Sequence, residues 1–129
     1  MIQQKGINVT LWLSVVFNFM AAYLMAFPSS LSSQLVELPQ NVPLLYSNLI
    51  SFVIVFFGVI YAWLAMQPNL EKHLLFIGGI GKILFFLVVF LTYLFGHVSA
   101  NFTALTIGDL IFGSLWLWWL YSNRFTANA

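Results

Sequence analysis

Two residues of opposite charge stand in stretches of this sequence that otherwise carry none. Lys82 closes the glycine-rich run Ile77-Gly78-Gly79-Ile80-Gly81-Lys82 and is followed by an uncharged stretch to Phe95, while Asp109 follows Gly108 in a second apolar stretch. A charged side chain near the centre of a bilayer costs at least about 2.5 to 3.5 kcal/mol on insertion scales, so two of opposite sign most simply neutralise each other or line a wet cavity. Three kinds of chemistry are open to such a pair: an ion pair that fixes helix register, a polar end for a bound molecule, or a carboxylate that takes up and releases a proton. A snorkelling Lys82, with Asp109 hydrogen-bonded to Ser or Tyr neighbours, is the plain structural alternative. Asn18, Ser51, Tyr61 and Tyr93, with Ser47 and Asn48 beside them, are candidates to complete a ligand-binding set around the pair. Each of them is equally suited to ordinary hydrogen bonding between membrane helices.

Other site chemistries find little to work with. Cysteine is absent, which removes disulfides, thiolate metal ligands, Cys-x-x-Cys redox motifs and cysteine nucleophiles together. His73 and His97 fall at opposite ends of one apolar segment and cannot share a metal, so no metal ligand and no cofactor is expected. The Gly78 to Lys82 run has no strand before it and no Ser or Thr after the lysine, which sets it apart from a phosphate-binding loop. A net charge of +1 gives no reason to expect nucleic acid as a partner.

The elements that must position these residues follow from composition. Of 129 residues, 62% are apolar and 5% charged, where soluble chains carry about a quarter charged. The mean hydropathy is +0.99. A helical span takes roughly 20 residues, so about four spans fill the chain as one domain. We expect an all-α, four-helix transmembrane bundle with spans at about residues 9–27, 44–66, 74–95 and 103–121, leaving residues 1–8 as a polar lead and 122–129 as a polar tail. A secretory signal peptide competes for the first span, but the run is long for a signal core and no small-x-small cleavage site follows.

Between the first two spans, Pro28 stops one helix, and Leu31, Leu35 and Leu38 fall on one helical face. This reads as a short interfacial helix, with Ser29 or Ser30 as N-cap and Pro39 ending it. Pro68 suits the first position of the third span, with Glu71 in its first turn. Lys5, Lys72 and Arg124 fall on one side of a four-span arrangement, which predicts that both termini are cytoplasmic. Trp116, Trp118, Trp119 and Tyr121 before Arg124 read as an aromatic belt at that same interface.

Small and polar residues at helical spacing mark the packing faces of helices in lipid. The stripes are Ser14, Asn18, Ala21, Ala22 and Met25 in the first span and Ser47, Ser51, Ile54, Gly58, Tyr61, Ala62 and Ala65 in the second. The third offers Gly78, Gly81, Lys82, Phe85, Val89 and Tyr93, and the fourth Gly108, Asp109, Phe112, Gly113 and Trp116. At 1.5 Å per residue, Lys82 lies roughly 15 Å deeper than Lys72, and Asp109 roughly 13 to 22 Å from the same boundary, so the two depths overlap. Side chains lean toward their helix N-terminus, which in antiparallel helices tilts the two apart, so Lys82 must bend back or water must bridge them.

Pro28, Pro39, Gly58, Tyr61, Gly81, Lys82, Gly108 and Asp109, taken together along the chain, resemble the pattern of small bacterial four-helix membrane proteins loosely related to the DoxX-like group. The resemblance implies a bundle in the cytoplasmic (inner) membrane and brings no activity with it. The expected function is a non-enzymatic integral membrane protein that binds membrane lipid, a lipid-like or quinone molecule, or a membrane protein partner or second copy, with Lys82 and Asp109 as its polar end. A small oligomeric proton-coupled transporter is the alternative; small multidrug transporters share the size and span count but carry a glutamate in the first helix, where this chain has Asn18. An intramembrane lipid-modifying enzyme is the third reading, with Asp109 and Lys82 or Tyr93 as its available groups; no residue is assigned a catalytic role.

Overall fold

The computed structural model describes residues 3–126, and the first two and last three residues of the expected lead and tail lie outside them. The described chain is all helical: α1 (Gln4–Ala26), α2 (Leu31–Leu35), α3 (Leu44–Met66), α4 (Lys72–Leu94), α5 (Ala100–Leu105) and α6 (Ile107–Thr126). Four stretches are long and apolar enough to cross a membrane, namely α1, α3, α4 and the combined segment Ala100–Arg124, which marks a multi-pass membrane protein.

Prolines end two of the long helices. Phe27 precedes Pro28 at φ −124°, ψ 69°, and Gln67 precedes Pro68 at φ −75°, ψ 136°, so α1 and α3 each stop where the pre-proline residue is pushed out of the helical region. Pro68 therefore closes the second span and does not open the third. Glu71 is the N-cap of α4, outside its first turn, and its carboxylate accepts from the His73 amide at 3.3 Å. At the other end of α4, the His97 amide donates to the Thr92 carbonyl and the Gly96 amide to that of Tyr93. This closing motif requires a left-handed residue, and Gly96 supplies it at φ 80°.

Ser30 caps α2 by accepting from the Ser33 amide, as the sequence led us to expect. Leu31 and Leu35 face outward, but Leu38 is buried and does not share their face. The cause is Glu37, whose positive φ of 56° ends α2 and folds Leu38 back into the core. The fourth span is broken at Thr106. Its hydroxyl donates to the Thr103 carbonyl at 2.7 Å, a local bond of the kind that bends helices, and the Asp109 amide then donates to the Thr106 carbonyl three residues back.

The helices pack as two antiparallel pairs, α1 on α3 and α4 on α6, which touch each other sparingly. Ser51 Oγ donates to the Ala22 carbonyl at 3.0 Å across the first pair, and a Cβ on Gly58 would lie 3.2 Å from that of Asn18. The second pair crosses backbone to backbone: a Cβ on Gly113 would stand 2.6 Å from the Gly79 carbonyl oxygen. Trp116 Nε1 donates to Thr10 Oγ1 at 2.9 Å, and Gln4 Nε2 to the Pro68 carbonyl, which ties the first part of α1 to the middle of α6 and to the α3–α4 turn. Of the expected aromatic belt, only Trp118 and Tyr121 face outward. Trp116 and Trp119 are buried, because their three-residue spacing sets both on the inner face of α6 against α1.

Two apolar clusters fill the ends of the bundle. Ile7, Leu11, Val15, Tyr61, Leu64, Ala65, Leu70, Leu75, Trp116 and Trp119 form the larger, beside the helix termini; Leu24, Leu38, Val89 and Phe102 form the smaller, at the opposite end.

Candidate functional site

Between the two clusters the four long helices bring Lys82 and Asp109 into direct contact. Lys82 Nζ donates to Asp109 Oδ1 at 2.7 Å, with both residues buried. The opposed lean of the two side chains is absorbed by the lysine's four-carbon stem, and no bridging atom is needed. Lys82 Nζ also donates to Asn18 Oδ1 at 3.0 Å, and Asn18 Nδ2 in turn donates to the Ile54 carbonyl at 3.0 Å. One chain of polar contacts thus links α6, α4, α1 and α3, and it ties together two helix pairs that otherwise touch sparingly.

The ammonium is further enclosed by rings. The centroids of Tyr61, Phe17, Phe112 and Trp116 lie 5.1, 5.5, 5.6 and 5.9 Å from Lys82 Nζ, all within the range of a cation–π attraction. Helical phase explains part of this arrangement: Phe112 and Trp116 follow Asp109 by three and seven residues on one face of α6. Gly78 leaves room for Tyr61, since a Cβ there would meet its ring at 2.9 Å, and Gly108 does the same for Phe17 at 2.8 Å. Asp109 also sits in the first turn of α6, where the helix dipole favours a negative charge.

Beside the pair is a cavity of about 400 Å³, within the range of small-molecule pockets. Its walls are Phe17, Asn18, Ala21 and Met25 of α1; Leu49, Ile50, Val53, Ile54, Phe57 and Tyr61 of α3; Gly81, Lys82 and Phe85 of α4; and Phe102, Leu105, Thr106 and Asp109 from the broken fourth span. Tyr61 and Phe57 join it to the larger cluster, and Phe102, Met25, Phe85 and Leu105 to the smaller, so both ends of the cavity abut packed core. The side between α3 and α4 is open. Leu49, Ile50 and Val53 line the cavity yet are 51, 42 and 49% exposed, and a Cβ on Gly81 would have no atom within 4 Å.

Of the six residues singled out from the sequence, the structure gathers Lys82, Asp109, Asn18 and Tyr61 around one point. Ser51 is buried in the α1–α3 contact and does not line the cavity, and Tyr93 lies on the outer surface of α4 beside Phe90. Gly81, read from its spacing as part of a packing stripe, faces open space, while its neighbours Gly78 and Gly79 make the close approaches. Phe17, Phe57 and Thr106 line the site without having been singled out; Phe17 precedes Asn18 and Thr106 precedes Asp109 by three residues, but nothing in their types distinguishes them from lipid-facing neighbours. Among the described residues no group of three His, Cys, Asp or Glu gathers to hold a metal ion.

Comparison with protein-family models, with curated proteins and with solved structures finds no match to this chain.

Proposed function

We propose that this chain is a small, non-enzymatic protein of the cytoplasmic membrane that takes a lipid-like molecule into the cavity between α3 and α4, with Lys82, Asn18 and Asp109 at its polar end. The observation that carries the reading is the cavity itself: apolar walls, packed core at both ends, one open side facing the lipid-exposed surfaces of two helices, and a single polar cluster at its floor. A water-soluble molecule has no route to such a site, whereas one dissolved in the bilayer meets it laterally. Lys5, Lys72 and Arg124 at one end of the bundle support cytoplasmic termini and an interfacial α2 on the opposite face of the membrane.

Gly81 provides the test, because it lines the cavity and a Cβ added there meets no atom within 4 Å. Native mass spectrometry of the purified protein is expected to show a retained lipid-like adduct that is lost in Gly81→Leu, while the melting temperature in detergent is kept. An adduct equally retained by Gly81→Leu, or none on the unaltered protein, contradicts the proposal.

A further inference from the structure

Resting on that reading, we infer that the bound molecule carries an uncharged head with an acceptor oxygen, such as an ester, ketone or ether, and that the site rejects lipids with a fixed charge. Lys82 and Asp109 are the charged residues among the cavity walls, and at 2.7 Å their formal charges cancel. A charged head entering this pocket finds no uncompensated countercharge and leaves its water behind, which is costly. A neutral head meets no such penalty.

The hydrogen-bonding inventory sets the polarity of that head. An ammonium has three donors and no acceptor. Lys82 gives one to Asp109 and one to Asn18, which leaves a third N–H without an oxygen partner, among the surrounding rings and in the cavity wall. Tyr61 is in the same wall, and its hydroxyl, set beside Gly78, makes no hydrogen bond to another described residue and is a second donor. Asn18 is not free to serve: its oxygen accepts from Lys82 and its amide donates to the Ile54 carbonyl. Two donors in the wall of one apolar cavity match an acceptor oxygen, and the second carboxylate oxygen of Asp109, in the same wall, can accept from a hydroxyl on the same uncharged head. Their depth, near the middle of the bundle, matches a molecule whose polar group is small enough to leave the interface.

The test uses four probes with one chain and different heads: methyl myristate, tetradecane, tetradecyl sulfate and tetradecyltrimethylammonium. Each is offered at equal mole fraction to the full-length protein in nanodiscs of neutral lipid, and the occupancy sensitive to Gly81→Leu is read by native mass spectrometry. Methyl myristate is expected to occupy the site on the order of tenfold more tightly than either charged probe, and more tightly than tetradecane. Lys82→Met leaves Asp109 without its cation and is expected to turn the preference toward the trimethylammonium probe. Equal or tighter binding of the sulfate or trimethylammonium probe to the unaltered protein overturns the inference while leaving a lipid site in place. If no probe shows Gly81-sensitive occupancy, the proposed function itself fails and the inference with it. Should Lys82→Met not fold, the ranking of the four probes on the unaltered protein decides alone.

Discussion

At Lys82 one ammonium is held by a carboxylate and an amide oxygen inside four aromatic rings, and removing its partners has unequal consequences. Losing one member of a buried pair leaves an uncompensated charge and typically costs about 3 to 5 kcal/mol, whereas replacing both by apolar residues is often neutral. Asp109→Leu is therefore expected to lower stability in detergent by about that amount, and the double change Lys82→Met with Asp109→Leu to recover most of it. Equal instability of the single and double variants would mean that the pair is not what the polar core rests on. The pairing was legible because depth can be counted along a helix at 1.5 Å per residue. Asn18 was legible only as a polar residue at helical spacing, since its bonds to Lys82 and to the Ile54 carbonyl depend on how α1 meets α4 and α3. Tyr93 shows the limit of that method. It stands about three turns beyond Lys82 and nearly in phase with it, but phase names a face of the helix and not what covers that face at each depth.

The α4–α6 pair shows at the level of elements how glycines on two paired helices differ. Adding a methyl at Gly113 forces it to 2.6 Å from the Gly79 carbonyl oxygen, and helix backbones cannot yield as a flexible side chain can. Gly113→Ala is expected to destabilise by about 1 to 3 kcal/mol, the usual range for overpacking. Gly81→Ala, facing open space, is expected to stay within about 0.5 kcal/mol of the parent. Chemical unfolding in detergent measures both; a Gly113→Ala protein as stable as Gly81→Ala would remove the backbone crossing from the account. The sequence marked these glycines as a group because small residues favour helix contact, and which of them touch is decided by the crossing angle, which composition does not encode. The spans themselves were readable from apolar length and proline stops, with α3 found at residues 44–66 as expected. The break at Thr106 was not, because a threonine bonding back to its own helix looks like any other threonine in an apolar run.

On the scale of the whole molecule, two tight helix pairs meet along a polar seam at one depth and leave their remaining space open toward lipid. The pairing of α1 with α3 and α4 with α6 concentrates the close contacts within pairs, so the cavity falls between them and its mouth lies between α3 and α4. That claim is tested most directly by nuclear magnetic resonance in nanodiscs with methyl stearate carrying a nitroxide on its chain. Gly81 and Phe85 line the cavity, whereas Leu84 and Val88 of the same helix, at similar depth, do not. The account predicts that the amides of Gly81 and Phe85 broaden well beyond those of Leu84 and Val88. Broadening that follows depth alone, equal on both faces of α4, would contradict a lipid-like molecule in the cavity.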